Sequence, residues 1–241
     1  MMRIAQAQEP SAFHRDVTVR GRKYLEKHPN TPGSKLPDYW NDYRDEFFEA
    51  YHGICAYTVT RIIDGHGFQM DHYRPKGVPR YRHLAYAWSN FRLISNRSNL
   101  KKGTARVADP FAIPDGACRI SFLRGRITLN AALPANEREL LVKTIRRLGL
   151  NEGASQQART RAYRQYRNHV LNRRGDLAVR PRDCIDIEHL TRWYPFVASE
   201  MLRLGRIEPE DRERCRQILS ELGFAMYKRS VKGSDFLDTA H

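Results

Sequence analysis

Cysteine is scarce in this chain of 241 residues. Only Cys55, Cys118, Cys184 and Cys215 occur, and no two of them form a CxxC pair. That spacing excludes a zinc knot built from adjacent pairs, and so few dispersed thiols read as small buried apolar residues more than as a disulfide framework. Long apolar runs are missing as well. No stretch approaches the roughly 20 residues that cross a bilayer. The opening Met1-Met2-Arg3-Ile4-Ala5-Gln6 has no apolar signal-peptide core. A soluble cytoplasmic protein is the expectation. Acidic residues are in deficit: 27 Asp and Glu stand against 42 Lys and Arg, a net charge of +15. Such an excess favours a polyanionic partner, because phosphates neutralised by Lys and Arg release condensed counterions. A membrane surface is the weaker alternative, since no lipidation motif is present.

The length is long for one domain and short for two full ones. Residues 1–36 read as a weakly patterned extension, with Pro29, Pro32, Gly33 and Ser34 marking a loop. Residues 37–130 read as the core and 131–241 as a helical C-terminal region. Within the core, Tyr39, Tyr43, Phe47 and Tyr51 recur at helical spacing, with Asp38 as N-cap and Gly53 as stop. Residues 54–60 and 68–71 read as two short strands about the turn Asp64-Gly65-His66-Gly67. A loop with Pro75, Gly77 and Pro79 follows, then a compact apolar stretch at 86–94, then a short helix at 95–102 ended by Gly103. Residues 119–123 and 126–129 predict a hairpin about Arg124-Gly125. Helices are predicted from 136 to a stop at Gly149, over 155–174 with Gly175 as its end, over 182–204, and over 209–222 with Pro209 in the first turn.

Between Phe68 and Gly103 several chemistry-bearing residues appear in order: Asp71-His72 at the end of an apolar run, Asn90 after Trp88, and Asn99 before Lys101-Lys102-Gly103. Hydrolysis of a phosphodiester needs a base to take a proton from water and a cation to steady the crowded, anionic phosphorus centre. His72 suits the base, with an ordinary pKa near 6.5. Asp71 offers a hard anionic oxygen and Asn99 a neutral one, a set suited to Mg²⁺ or Mn²⁺. Asn90 can orient the imidazole through its side chain or its carbonyl. Adjacent strand residues point to opposite faces, so Asp71 and His72 converge only if the strand ends or bends there.

This ordered set resembles the ββα-metal core of HNH endonucleases. It is most similar to a bacterial group written roughly CxYC, then (E/D)HFRPK, then LAYxWxNLxxxCxxCNxxKG, which includes the PtuB-type effectors of Septu and retron anti-phage systems. The matching residues are Cys55-Ala56-Tyr57-Thr58, Asp71-His72-Tyr73-Arg74-Pro75-Lys76, 84–91 and 95–103. The likeness continues in Asp109-Pro110, the hairpin and 144–151. It implies an α+β fold with a metal-dependent nuclease centre, in which Asp71 and Asn99 bind the ion and His72 is the base. It also implies an antiviral defence role beside an ATPase of the ABC or SMC type. The group's structural zinc is not expected here, because Thr58, Ser95 and Ser98 replace three of its four cysteines and hydroxyls are poor zinc ligands.

Arg74, Lys76, Arg97, Lys101 and Lys102 flank the candidate site and suit phosphate, although Arg74 and Lys76 equally suit the cover of a loop. Trp88 reads as core. The helical region carries Arg159, Arg161, Arg164, Arg167, Arg173 and Arg174. They read as a nucleic-acid backbone contact, with Arg164 and Arg167 sharing a face, or as a solvated face, or as a dock for an acidic protein. Tyr163 and Tyr166 suit base stacking or helix packing. The composite expectation is a nuclease acting on DNA or RNA, with a catalytically silent binding or scaffold subunit as the alternative.

Overall fold

The computed structural model describes residues 1–63 and 67–224. Its elements are helical for the most part, with two small antiparallel sheets, a mixed α/β arrangement. The first sheet pairs β1 (Phe68–His72) with β2 (Phe91–Ser95), in the register Asp71↔Arg92 and His72↔Phe91. α4 (Asn96–Lys102) follows β2 directly and packs on both strands. Ser95 caps it, its hydroxyl accepting from the Ser98 amide. That cap lets the chain turn from strand to helix with no loop.

The partner of β1 therefore differs from the sequence expectation. Residues 54–60 form no strand; the stretch makes a single bridge, Ile54↔Arg61, around a tight loop in which Val59 has φ +51°. A β-branched residue in that region is strained, and the loop holds it because Cys55, Ala56, Tyr57 and Val59 are all buried. β2 comes instead from the apolar stretch, where Phe91, Arg92, Leu93 and Ile94 are all buried. A strand enclosed on both faces shows no alternation, so its period is invisible in sequence. The expected turn at 64–67 lies mostly outside the described residues.

The N-terminal stretch is also more ordered than its pattern suggests. α1 (Ser11–Phe13) runs through a π-helical segment (His14–Val19) into α2 (Arg20–Lys27). Phe13 and Val17 are fully buried, and Phe13 packs edge-on against Trp88. Gly21 sits where α2 crosses Tyr86; a Cβ there would lie 2.0 Å from the ring. Tyr39–Tyr43 is a 3-10 turn leading into α3 (Arg44–Ala50), so the predicted helix is present but tightened at its start. Asp38 makes no side-chain cap.

β3 (Cys118–Ser121) and β4 (Arg126–Leu129) form the predicted hairpin about Gly125. α5 (Ala135–Arg147) and α6 (Gly153–Arg174) stop at Gly149 and Gly175, both at positive φ. The helix expected over 182–204 is two: α7 (Ile187–Trp193) and α8 (Pro195–Arg203). Pro195 cannot continue the first and suits the opening turn of the second. Among the described residues α9 (Arg212–Glu221) is the last helix. The buried hydrophobic side chains form one continuous core, drawn from the N-terminal, central and C-terminal stretches alike.

Candidate active site

β1 separates its last two side chains. Asp71 faces α4, where Lys102 Nζ lies 2.9 Å from Oδ2 and 3.1 Å from Oδ1. The same ammonium donates to the His72 carbonyl at 3.1 Å. Lys102 is 1% exposed and the Asp71 side chain 9%. Burial pushes the Asp71 carboxyl above its ordinary pKa, and Lys102 opposes that shift. Lys102 is the cation against Asp71 Oδ2, and the buried Tyr57 hydroxyl makes no hydrogen bond.

His72 faces the other way, into an aromatic corner. Its ring lies 4.8 Å from Trp40, edge-on, and 4.7 Å from Phe91. Nε2 is 2.8 Å from the Ala85 carbonyl. A carbonyl can only accept, so Nε2 carries the proton and Nδ1 holds the lone pair. Among the described residues Nδ1 makes no hydrogen bond. Burial lowers the pKa to about 4, with Lys76 and Lys102 adding to the fall and the Ala85 carbonyl resisting it. The imidazole is therefore neutral at pH 7.

Pairing continues regularly through His72↔Phe91 and on to Tyr73 N–H donating to Asn90 O at 2.8 Å. The bend that would bring Asp71 and His72 together is thus absent, and the backbone hydrogen bonds at the strand end are the reason. Among the described residues Lys102 is the side chain that bonds to both, through the Asp71 carboxylate and the His72 carbonyl. Asn90 also departs from expectation. It does not touch the imidazole. Its Oδ1 accepts from Arg74 N–H at 2.8 Å, and its Nδ2 donates to the Arg74 and Leu84 carbonyls, each at 3.1 Å. It ties the end of β1 to the segment whose next carbonyl, Ala85, holds His72. Asn99 lies half-buried on α4, one turn before Lys102.

The flanking cations divide into free and engaged groups. Lys102 is the buried partner of Asp71 and offers nothing to solvent, contrary to its expected phosphate contact. Lys101 pairs with Glu152 at 3.2 Å. Arg74 lies over Tyr73 and Tyr81, and Lys76 sits 4.3 Å over the Trp40 ring that touches His72. Arg97 is exposed. On α6, Arg159 is buried and donates to the Gly125 and Leu150 carbonyls, so it belongs to the core and cannot meet a phosphate. Arg173 pairs with Glu210 and Asp211, and Arg174 with Glu208. Arg161, Arg164 and Arg167 are exposed. Tyr163 stacks on Phe122 at 4.7 Å, and the buried Tyr166 donates to Asp211, which makes both packing residues.

Residues 55, 95 and 98 meet as a small polar cluster. Ser95 Oγ and Ser98 Oγ are 3.0 Å apart, and Cys55 Sγ is 3.9 Å from Ser98 Oγ. Thr58 turns aside to Thr60 at 2.8 Å. Hydrogen bonds fill this corner between the 54–61 loop and α4.

Among the described residues no three His, Cys, Asp or Glu side chains gather as a metal cluster. The donors a hard divalent ion would need are the Asp71 carboxylate, whose two oxygens Lys102 Nζ approaches to 2.9 and 3.1 Å, and the Asn99 amide on the adjoining helix. Lys102 is the competing cation. Trp40, the Ala85 carbonyl and the Lys102 pairing were not assigned from sequence. Only the His72 and Asp71 positions themselves carried a local signal; these partners come from 13 to 32 residues away. Compared with known proteins, the chain matches no family model and no curated protein.

Proposed function

We propose that the chain is an endonuclease of the HNH type, hydrolysing phosphodiester bonds in DNA or RNA with His72 as the base. The observation that carries this reading is the state of His72. It is a neutral imidazole at the end of β1, its Nε2–H committed to the Ala85 carbonyl and its Nδ1 left able to accept a proton. A base of pKa about 4 is weak, but an approaching phosphate raises it, since a nearby anion favours the imidazolium. Trp40 and Phe91 fix the ring plane, and Asn90 fixes the backbone on either side. Asp71 and Asn99 would hold Mg²⁺ or Mn²⁺, which when bound supplies positive charge to the phosphate oxygens. Lys76, Arg74 and Arg97 draw the backbone in, and the exposed Arg161, Arg164 and Arg167 extend the basic surface. The net charge of +15 supports a nucleic acid as the substrate. By resemblance, the role is anti-phage defence in company with an ABC- or SMC-type ATPase.

A specific observation favours a second reading. Lys102 already neutralises Asp71, and the two candidate side chains face apart, as they would in a nuclease-derived subunit that binds without cutting. Incubating the chain with DNA and with RNA, in Mg²⁺, Mn²⁺ or EDTA, separates the two. Ion-dependent cleavage supports the first. Salt-sensitive binding with no cleavage under any ion supports the second.

A further inference from the structure

The buried ion pair on the α4 side of β1 has no role in the hydrolysis described above, which needs the Asp71 oxygens for an ion. Lys102 holds both of those oxygens and the His72 carbonyl at 2.9 to 3.1 Å. Around them the surroundings are buried, and Lys102 is the cation matched to Asp71. Tyr57 is buried with its hydroxyl unpaired, and Arg92, cross-strand from Asp71, spends its guanidinium on Asp109. A divalent ion and this ammonium cannot share one carboxylate in such surroundings, because two cations at contact distance repel strongly where water does not screen them. An ammonium that loses its carboxylate there cannot stay buried either.

The fold gives it a way out. Lys102 is the last residue of α4. Gly103 follows with φ +52° and ψ −131°, and both Gly103 and Thr104 are exposed. Displacement would carry the four-carbon stem past the helix end towards these exposed residues.

We propose that Lys102 is a tethered counter-cation that a divalent ion displaces. The ion and the ammonium occupy Asp71 in turn, and the displaced Lys102 emerges beside Arg97 and Lys101 as a ligand for substrate phosphate. This rests on the reading that Asp71 holds a divalent ion. It assigns Lys102 two positions, a buried one that keeps β1 and α4 together without the ion, and an outer one that appears only with the ion bound.

Amine acylation of the full chain with a small reagent, read at each lysine by mass spectrometry, tests this without reference to activity. Lys102 is expected to react slowly in EDTA and severalfold faster in MnCl₂, while Lys76 and Lys23 keep their rates. Calorimetry runs in parallel, and Lys102→Met is expected to bind Mn²⁺ about tenfold more tightly, a typical size for coupling between two binding events. Binding to Lys102→Met but not to the wild type would overturn the displacement, because the ion would then fail to expel the ammonium. Mn²⁺ binding to the wild type with no change in Lys102 labelling would overturn the displacement and leave the metal reading standing. Absence of binding to either protein would overturn both. If Lys102→Met fails to fold, labelling of the wild-type chain decides alone.

Discussion

The two faces of β1 treat neighbouring residues in opposite ways. On one face Asp71 is largely buried with a cation against it; on the other His72 is half-buried among aromatic rings with a single carbonyl. Burial disfavours the charged form of both, raising the Asp71 pKa and lowering that of His72 to about 4. Only Asp71 has a counter-ion to oppose the shift. One face therefore keeps a charge in place by pairing it, and the other keeps a group neutral by leaving it unpaired. A neutral imidazole is the form of His72 able to accept a proton, whereas the Asp71 carboxylate is already matched by an internal ammonium.

The largest effect expected from breaking this contrast comes on the charged face. Asp71→Ala strands the Lys102 ammonium in the core. Urea unfolding is expected to show a loss of about 3–5 kcal/mol. The double change Asp71→Ala, Lys102→Met should recover most of it, because replacing a buried pair by apolar groups is often close to neutral. A double variant as unstable as the single one would show that the pair is not the source.

On the aromatic face the effect is a pH dependence. His72 has its pKa lowered on folding from 6.5 to about 4, so between those values the unfolded chain binds more protons. Stability is complete above about pH 6.5 and is lost as pH falls towards 4, by about 3 kcal/mol. Asp71, raised above 3.8, acts in the opposite direction, favouring the folded state as pH falls through its own range. Equilibrium unfolding between pH 4 and 7 should therefore show a slope that His72→Gln flattens. An unchanged slope in that variant would place the titration elsewhere.

How much of this was legible in the sequence depends on how far apart the partners lie. The hairpin at 118–129 and the stops of α5 and α6 were readable because an Arg-Gly turn and single glycines encode them locally. Asp71, His72, Asn90 and Asn99 stand out in sequence by their order, their chemistry and the resemblance that the order carries. β2 was hidden because a strand buried along most of its length has no period, and the helical stretch 11–27 because Phe13 and Val17 are the fully buried side chains it sends into the core. Arg159 looks in sequence like its exposed neighbours Arg161 and Arg164. Only the meeting of α6 with the Gly125 turn makes it a core residue. The Lys102–Asp71 pair, 31 residues apart, is tertiary in the same way.

Smaller effects sharpen the comparison. Asn90→Ala removes three hydrogen bonds to backbone groups at the junction between the two faces. It is expected to cost about 1–3 kcal/mol, measured by thermal or urea unfolding. No loss would mean that water replaces the amide. Changing Arg164 and Arg167 together to Gln should leave stability within about 0.5 kcal/mol. If they contact a nucleic-acid backbone, the slope of log affinity against log salt should become shallower by about 0.9 per lost contact on duplex DNA. An unchanged slope would make them a solvated face.

The reading of His72 as the base is tested most directly by comparing His72→Ala with the wild-type chain on DNA and RNA in Mg²⁺ and Mn²⁺, with fold and nucleic-acid affinity checked on the same samples. The expected result is a loss of cleavage rate of about 10²- to 10⁴-fold with binding retained. Cleavage by His72→Ala at the wild-type rate would contradict it.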